Sequence, residues 1–390
     1  MRSIVFYKLR NLLVSTILLC PFSAAFAVDD IRVGMTGALS GLSATLGQQM
    51  KVGLELGFSE VNSSGGINGR KIRLIALDDA YQPLKAAANM RVLIDQEKVL
   101  AVLGNTGTPT VMLTVPIAND NKVLMLGAYT GAGVLRDESN CCIYNYRASY
   151  KQETALMIRH ILSKGIKPNE IAFFTQNDSY GDAGYNGAIE KLKSVGFDEG
   201  EQLLHVRYRR NTVNVEQSVA NILTADVPPK AIIMVGSYAA SSKFITILKA
   251  ERPNIKFYNI SFTGSQPLLD SLGESSEGVF ITEVVPSFEI ETELIKGYKA
   301  ALVKEKIMDS NVISLEGYIV AKIFIEILQS IEGDINKQAV LLATSQLERL
   351  KLGTAIRGLS FSEGNKQASQ TVWLNRIENG QFKQQDVSKQ

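Results

Sequence analysis

The sequence predicts an α/β fold of two doubly wound parallel-sheet lobes. Short β-branched runs alternate with longer amphipathic stretches, first over residues 31–127 and again over 151–260. Strand and helix in strict alternation give a parallel sheet covered on both faces. The 390 residues exceed one ordinary domain, since roughly 100 to 200 residues make each, so two or three lobes are expected.

In the first series Ile31 to Gly34, Ile72 to Leu77, Val99 to Gly104 and Val123 to Gly127 read as strands, with helices near 47–62, 83–97 and 109–120. Ser63-Ser64-Gly65-Gly66 ends the first helix, and Asn68-Gly69 turns the chain back into a strand. The second series has helices at 151–164, 182–195, 214–224 and 237–250, between strands Ile171 to Thr175, Leu203 to Arg209, Ala231 to Val235 and Phe257 to Ile260. A further strand, Val279 to Val284, precedes helices near 291–305, 312–330 and 336–347 and a last strand, Thr371 to Ile377. That tail is too helical for a third sheet and is expected to pack back onto the first lobes.

Hydrophobic residues make up 45% of the chain and charged ones 21%, a composition that builds a core. With 41 basic against 39 acidic residues and no basic run, nucleic acid is not an expected partner. The two histidines, His160 and His205, have no second ligand at metal spacing, so no metal site is expected.

Residues 1–27 read as a signal peptide. Arg2, Lys8 and Arg10 form a basic start, Leu12 to Leu19 an apolar stretch shorter than the roughly 20 residues of a spanning helix, and Ala25-Phe26-Ala27 a cleavage site. Leu18-Leu19 and Pro21 around Cys20 are poor for a lipoprotein signal, so a freely diffusing periplasmic protein is expected. Cleavage removes three of the 41 basic residues and no acid, leaving 38 against 39. Of the cysteines only the adjacent Cys141 and Cys142 remain; their spacing is short for a disulfide, and free thiols are expected.

No catalytic constellation is present. The chain lacks a G-x-S-x-G elbow, a phosphate loop and an H-E-x-x-H helix. Gly131-Ala132-Gly133 lacks the third glycine of a dinucleotide fingerprint and reads as a tight turn. Asp78 and Asp79 lie on opposite strand faces and read as solvated charges. A binding protein without catalytic residues or cofactor is therefore expected, and not an enzyme.

Doubly wound sheets bind ligands outside the carboxyl ends of their strands. The loops there, 40–47, 79–83, 105–110 and 128–133 in one lobe and 176–181, 236–240 and 261–267 in the other, are rich in Ser, Thr, Gly and Tyr and nearly free of Lys and Arg. They suit hydrogen bonding to a small neutral or zwitterionic molecule. Thr108 before Pro109 reads as N-cap then first residue of a helix, whose N-terminus favours an anion.

Gly37-Ala38-Leu39-Ser40-Gly41, the block Gly65 to Lys71 followed by Asp78-Asp79, Tyr180-Gly181, and Gly273 to Gly278 together resemble the periplasmic leucine/isoleucine/valine-binding protein family, the substrate-binding components of branched-chain amino acid ABC transporters. The resemblance covers essentially the whole mature chain. It implies a type I periplasmic binding protein fold: two lobes joined by three crossover strands near 145–150, 284–290 and 357–360, hinging closed on a ligand. Lobe one is then 28–147 with 285–357, and lobe two 148–284 with 358–390. The ligand-binding residues it implies are Gly107 and Thr108 for the carboxylate, Tyr129 and Thr130 from the next loop, Tyr180 and Tyr238 closing from lobe two, Ser261, and Leu46 as apolar lining. It also implies an ABC permease as partner, with the chain as a monomer.

Two departures from the family follow. Tyr81 and Gly107 stand where the family has a disulfide, and Ser261 stands where it has a glutamate for the ligand ammonium. An enclosed ammonium without a charged partner costs several kcal/mol. The sequence thus points to a small carboxylate or amide in preference to leucine, isoleucine or valine, unless Asp79 or Asp178 approaches from another loop. The expected function is capture of a small polar ligand, an amino acid, carboxylate or amide, for delivery to a permease. A ligand sensor feeding a membrane kinase or chemoreceptor is the alternative. N-terminal sequencing of protein from the producing cell is expected to begin at Val28; intact Met1 recovered with the membranes would overturn export in soluble form.

Overall fold

The computed structural model describes residues 29–347, 361 and 365–387. The expected signal peptide and the third expected crossing, near 357–360, lie outside the described residues. The first sheet holds β1 (Ile31–Gly37), β2 (Ile72–Asp78), β3 (Ala101–Leu103), β4 (Leu124–Leu126) and β5 (Ile143–Tyr144), all parallel, in the order β2-β1-β3-β4-β5. Its register places Ile31 beside Ile72 and Val33 beside Ala101. The second holds β6 (Ile171–Gln176), β7 (His205–Tyr208), β8 (Ala231–Val235), β9 (Lys256–Asn259), β10 (Phe280–Glu283), β11 (Trp373–Glu378) and β12 (Gln381–Gln384), in the order β12-β11-β10-β9-β8-β6-β7. β6 to β10 run parallel; β11 and β12 are antiparallel additions at one edge.

The helices are α1 (Ala44–Ser63), α2 (Pro83–Arg91), α3 (Thr108–Asp120), α4 (Tyr150–Ser163), α5 (Ser179–Ser194), α6 (Glu216–Leu223), α7 (Tyr238–Glu251), α8 (Ser265–Leu272), α9 (Glu293–Lys304), α10 (Val312–Gln329) and α11 (Lys337–Ser345). β3, β4, β6 and β8 are buried along their whole length, as central parallel strands covered on both faces must be. Strand order reverses between β1 and β3 in one sheet and between β6 and β8 in the other. The helices that follow those four strands, α1, α3, α5 and α7, begin where a ligand crevice forms.

Most elements fall where the pattern predicts. The helix expected over 83–97 is α up to Arg91 and continues as a π turn over Val92–Gln96. β5, β12 and α8 went unread: β5 has two residues, β12 is a largely exposed polar edge, and α8 is eight residues holding a proline. The tail divides. α9 and α10 pack on α1, whereas β11 and β12 extend the second sheet. The chain passes from one sheet to the other between β5 and α4 and returns between β10 and α9. Residues 366–369 run beside the first of these crossings, with Ala368 N donating to Asn145 O at 2.8 Å and Ser369 N to Tyr146 O at 2.8 Å.

Free thiols were expected at Cys141 and Cys142, but the two are joined in a disulfide, with Cα atoms 3.8 Å apart. The backbone bends at both residues, which swings the side chains together.

α10 is buried almost all round and fits against α1 through glycines. A Cβ on Gly53 would overlap the Ser314 carbonyl oxygen and lie 2.7 Å from Tyr318 N, and one on Gly317 would overlap the Met50 carbonyl oxygen. The two backbones touch, so no side chain can move aside to relieve the overlap. Gly53→Val is expected to destabilise the protein by about 3 kcal/mol in denaturant unfolding. Gly133→Ala, where a Cβ meets nothing within 4 Å, is expected to leave the midpoint unchanged.

Candidate functional site

The eight residues singled out from sequence come together where the two lobes meet. Leu46 sits in the first turn of α1, Thr108 opens α3, Tyr180 is second in α5, and Tyr238 opens α7. These are the four helices that follow the switch-point strands. Tyr129, Thr130 and Ser261 come from the loops after β4 and β9. All but Tyr238, which is half-buried, are buried.

Lobe-to-lobe contacts close this region. Tyr129 OH donates to Ser261 O at 3.2 Å, and Gln176 Nε2 to Tyr81 OH at 3.4 Å. Thr45 Oγ1 and Tyr238 OH are 3.4 Å apart, and a Cβ on Gly264 would be 2.9 Å from Leu46 Cδ2.

Thr108 does not cap its helix. Gly107, at φ +97°, takes the cap position, and Thr108 and Pro109 are the first two helical residues, one place further along than expected. The glycine is required twice over, by its positive φ and by Tyr81, whose ring lies where a Cβ would stand. The two positions that hold a disulfide in the family are thus in contact here, as ring against backbone. Freed from capping, Thr108 Oγ1 lies 2.7 Å from Thr130 Oγ1, which lies 2.9 Å from Tyr150 OH. This row of hydroxyls stands at the N-terminus of a 13-residue helix, where the backbone favours negative charge.

Facing it is an aromatic cluster around Phe262. Its ring centroid is 4.7 Å from that of Tyr180, 5.4 Å from Tyr129 and 6.1 Å from Tyr81. Tyr180 presents its ring here, since its hydroxyl donates to Gly236 O at 3.2 Å within its own lobe. Its hydroxyl is therefore committed, and the apolar face remains.

Sequence reasoning missed the charges behind Ser261. Arg147, in the first crossing, is 1% exposed, and its guanidinium lies 4.6 Å from the Tyr129 ring centroid. It donates to Ser261 Oγ and stands 3.4 Å from Glu316 Oε1 of α10, an ion pair without hydrogen-bond alignment. Glu153 of α4 accepts from Ser261 N at 2.7 Å, Ser261 Oγ at 3.0 Å and Thr282 Oγ1 at 2.5 Å. An acid does reach Ser261, from a helix a hundred residues earlier. Neither loop acid does so: Asp79 accepts from Thr36 Oγ1 and Tyr81 N, and Asp178 caps α5 and pairs with Arg210 at 2.9 Å. Of the two expected solvated charges, Asp78 is exposed as expected and Asp79 is not. Asp78 accepts from Leu39 N, Ser40 N and Ala80 N, holding two loops together, and Asp79 is fully buried. One signal was available for the missed group: Arg147 and Glu153 flank Ser149, which forms a capping box with Gln152. That box fixes both side chains at the helix entrance.

Residues 30–381 match the sequence family described as periplasmic binding protein. The chain belongs to that family. The binding protein is 39% identical to a possible leucine/isoleucine/valine-binding protein from Rhodopirellula baltica SH 1, with a TM-score of 0.89 and coverage of 93% of this chain and 97% of that one. A Leu/Ile/Val-binding protein homolog 7 from Brucella abortus (strain 2308) is 26% identical over 371 residues, 90% of each chain. A branched chain amino acid ABC transporter protein from Thermus thermophilus, solved with bound valine, shares the fold at a TM-score of 0.80 and 16% identity, covering 92% of this chain and 96% of that one. The binding protein is thus a type I periplasmic binding fold and not an enzyme. No helix among the described residues is long and apolar enough to cross a membrane.

Burial sets the charge states at the lobe junction. It pushes Glu283 up to about 8, helped by Glu153 and opposed by Arg147, and pushes Glu316 up to about 7 against the pull of Arg147. Asp79 is raised to about 6 by burial, and His160 and His205 are lowered to about 4 by the same cause. The signs oppose. A raised carboxyl pKa stabilises the fold below the unfolded value of 4.5 and loses that contribution as pH rises through 7 and 8; a lowered histidine pKa destabilises on acidification below 6.5. Above about pH 6.5 the histidines no longer offset the carboxyls, so thermal unfolding of the unliganded protein is expected to show stability declining from about pH 6.5 towards about pH 8, and Glu283→Gln should flatten that decline.

Proposed function

We propose that the protein is a periplasmic solute-binding protein that captures an apolar α-amino acid between its lobes and delivers it to an ABC permease. The lobes are residues 28–147 with 285–357, and 148–284 with 358–390. One observation carries the reading: the hydroxyl row of Thr108, Thr130 and Tyr150 at the N-terminus of α3, the rings of Tyr180 and Phe262, and the buried acid Glu153 that holds Ser261 come together at the lobe junction. A zwitterion needs an anion site and a cation site a short distance apart. The ligand carboxylate takes the hydroxyls and the helix N-terminus, its ammonium turns towards Ser261 and Glu153, and its side chain lies against Phe262, Tyr180 and Tyr129. The printed names of the Rhodopirellula and Brucella relatives support the same ligand class.

Preference for a deaminated acid rested on the lack of an acid near Ser261, and Glu153 removes that premise. A specific feature still favours a carboxylate as the second reading: Arg147 Nη1 is buried without a hydrogen-bond partner. Titration calorimetry of the mature chain with leucine and with 4-methylpentanoate separates the two. Leucine is expected to bind with the carboxylate at least about tenfold weaker, and Glu153→Gln should erase most of that difference. Tighter binding of 4-methylpentanoate would establish the second reading, and no binding of either would overturn both.

A further inference from the structure

A cavity of about 330 Å³ lies apart from Thr108, Thr130 and Tyr180, on the side of the molecule where the chain returns from β10 to α9. Its floor is one face of the second sheet's edge. Glu283 of β10 stands directly opposite Trp373 of β11 in the antiparallel register, which puts their side chains next to each other on one face. Asn375, two residues along from Trp373, pairs with Gln384, and Phe382 lies two residues before Gln384, so the same face continues across β12. The roof is the return segment around Phe288, and the far wall is the start of α10 at Ser310 to Val312. The cavity therefore touches both lobes and the segment that joins them.

Its chemistry is one-sided. Trp373, Phe288 and Phe382 give it aromatic faces, Glu283 and Glu289 give it carboxyl groups, and among the described residues no lysine or arginine lines it. Glu283 is 6% exposed and held by the hydroxyl of Ser265, itself 1% exposed. A carboxyl fixed in a dry wall beside aromatic rings is the arrangement that recognises an organic cation, through ion pairing and the negative faces of the rings. The volume is at the lower end of small-molecule sites.

We infer that this cavity is a second ligand site, for a small organic ammonium ion with an apolar body, and that its occupant braces the joint between the lobes. The inference goes beyond the amino-acid cleft and does not depend on it. Trp373 is the only tryptophan of the chain, so its fluorescence reports on this cavity.

The test is titration of the mature protein at pH 9, where Glu283, raised to about 8 by burial, is ionised, with cyclohexylammonium chloride, cyclohexanol and cyclohexanecarboxylate, following Trp373 emission. Cyclohexylammonium should give a saturable shift, with the neutral and anionic analogues at least about tenfold weaker. Glu283→Gln should weaken the ammonium ion by at least about tenfold. Ser310→Phe, a change at an exposed position that obstructs the cavity mouth, should abolish the shift with unfolding temperature unaltered; it decides the matter if Glu283→Gln does not fold. Absence of a saturable shift, equal response to cyclohexanol, or an unchanged response in Ser310→Phe would each overturn the inference.

Discussion

The closed arrangement depends on one buried cation. Arg147 leaves the first sheet on the segment that crosses to the second, and its guanidinium meets Tyr129, Glu316 and Ser261 in a region without water access. Isolating a charge there costs several kcal/mol unless neighbours restore what water gave. Burial works against the charge of Arg147, but Glu316, Tyr129 and Glu153 outweigh it and hold the group ionised. Those neighbours come from helices α10 and α4 and from the loop after β4. The charge of the arginine is therefore balanced only when pieces of both lobes stand around it.

Around that charge the structure uses close backbone approach where a wide cleft would otherwise need filling. Gly107 lets Tyr81 lie flat on the turn before α3, Gly131 admits Tyr150, and Gly53 with Gly317 brings α1 against α10. Each glycine removes a side chain so that a larger one, or a backbone, takes its place. The cluster of Tyr81, Tyr129, Tyr180 and Phe262 is the result at the lobe junction, and Leu46 against Gly264 is the same device at its rim. Of these contacts, Tyr81 and Tyr129 against Phe262 and Leu46 against Gly264 join one lobe to the other.

Glu283 links the cleft to the return segment. It feels Glu153, Arg147 and Glu316 on one side and lines the aromatic cavity with Trp373 on the other. A group so placed responds to what occupies either space, because adding a cation beside it changes the balance of charge around Arg147.

The sequence by itself determined the alternation of strand and helix, and so the two parallel sheets, because hydrophobic period and turn chemistry act over a few neighbouring residues. It also identified the loops at the carboxyl ends of the strands, and Leu46, Thr108, Tyr180 and Tyr238 proved to open the four helices that follow the switch-point strands. Requiring parallel crossovers reduces the possible strand orders to a few, and the structure decides among them. What surrounds Ser261 was not legible. Its partners Arg147 and Glu153 lie 114 and 108 residues away in sequence, and no local pattern couples their positions. The antiparallel edge of β11 and β12, the disulfide of Cys141 and Cys142, and the charge states of Glu283 and Glu316 belong to the same class. They are decided by which surfaces meet and how much water is expelled, quantities that exist only once the chain has folded.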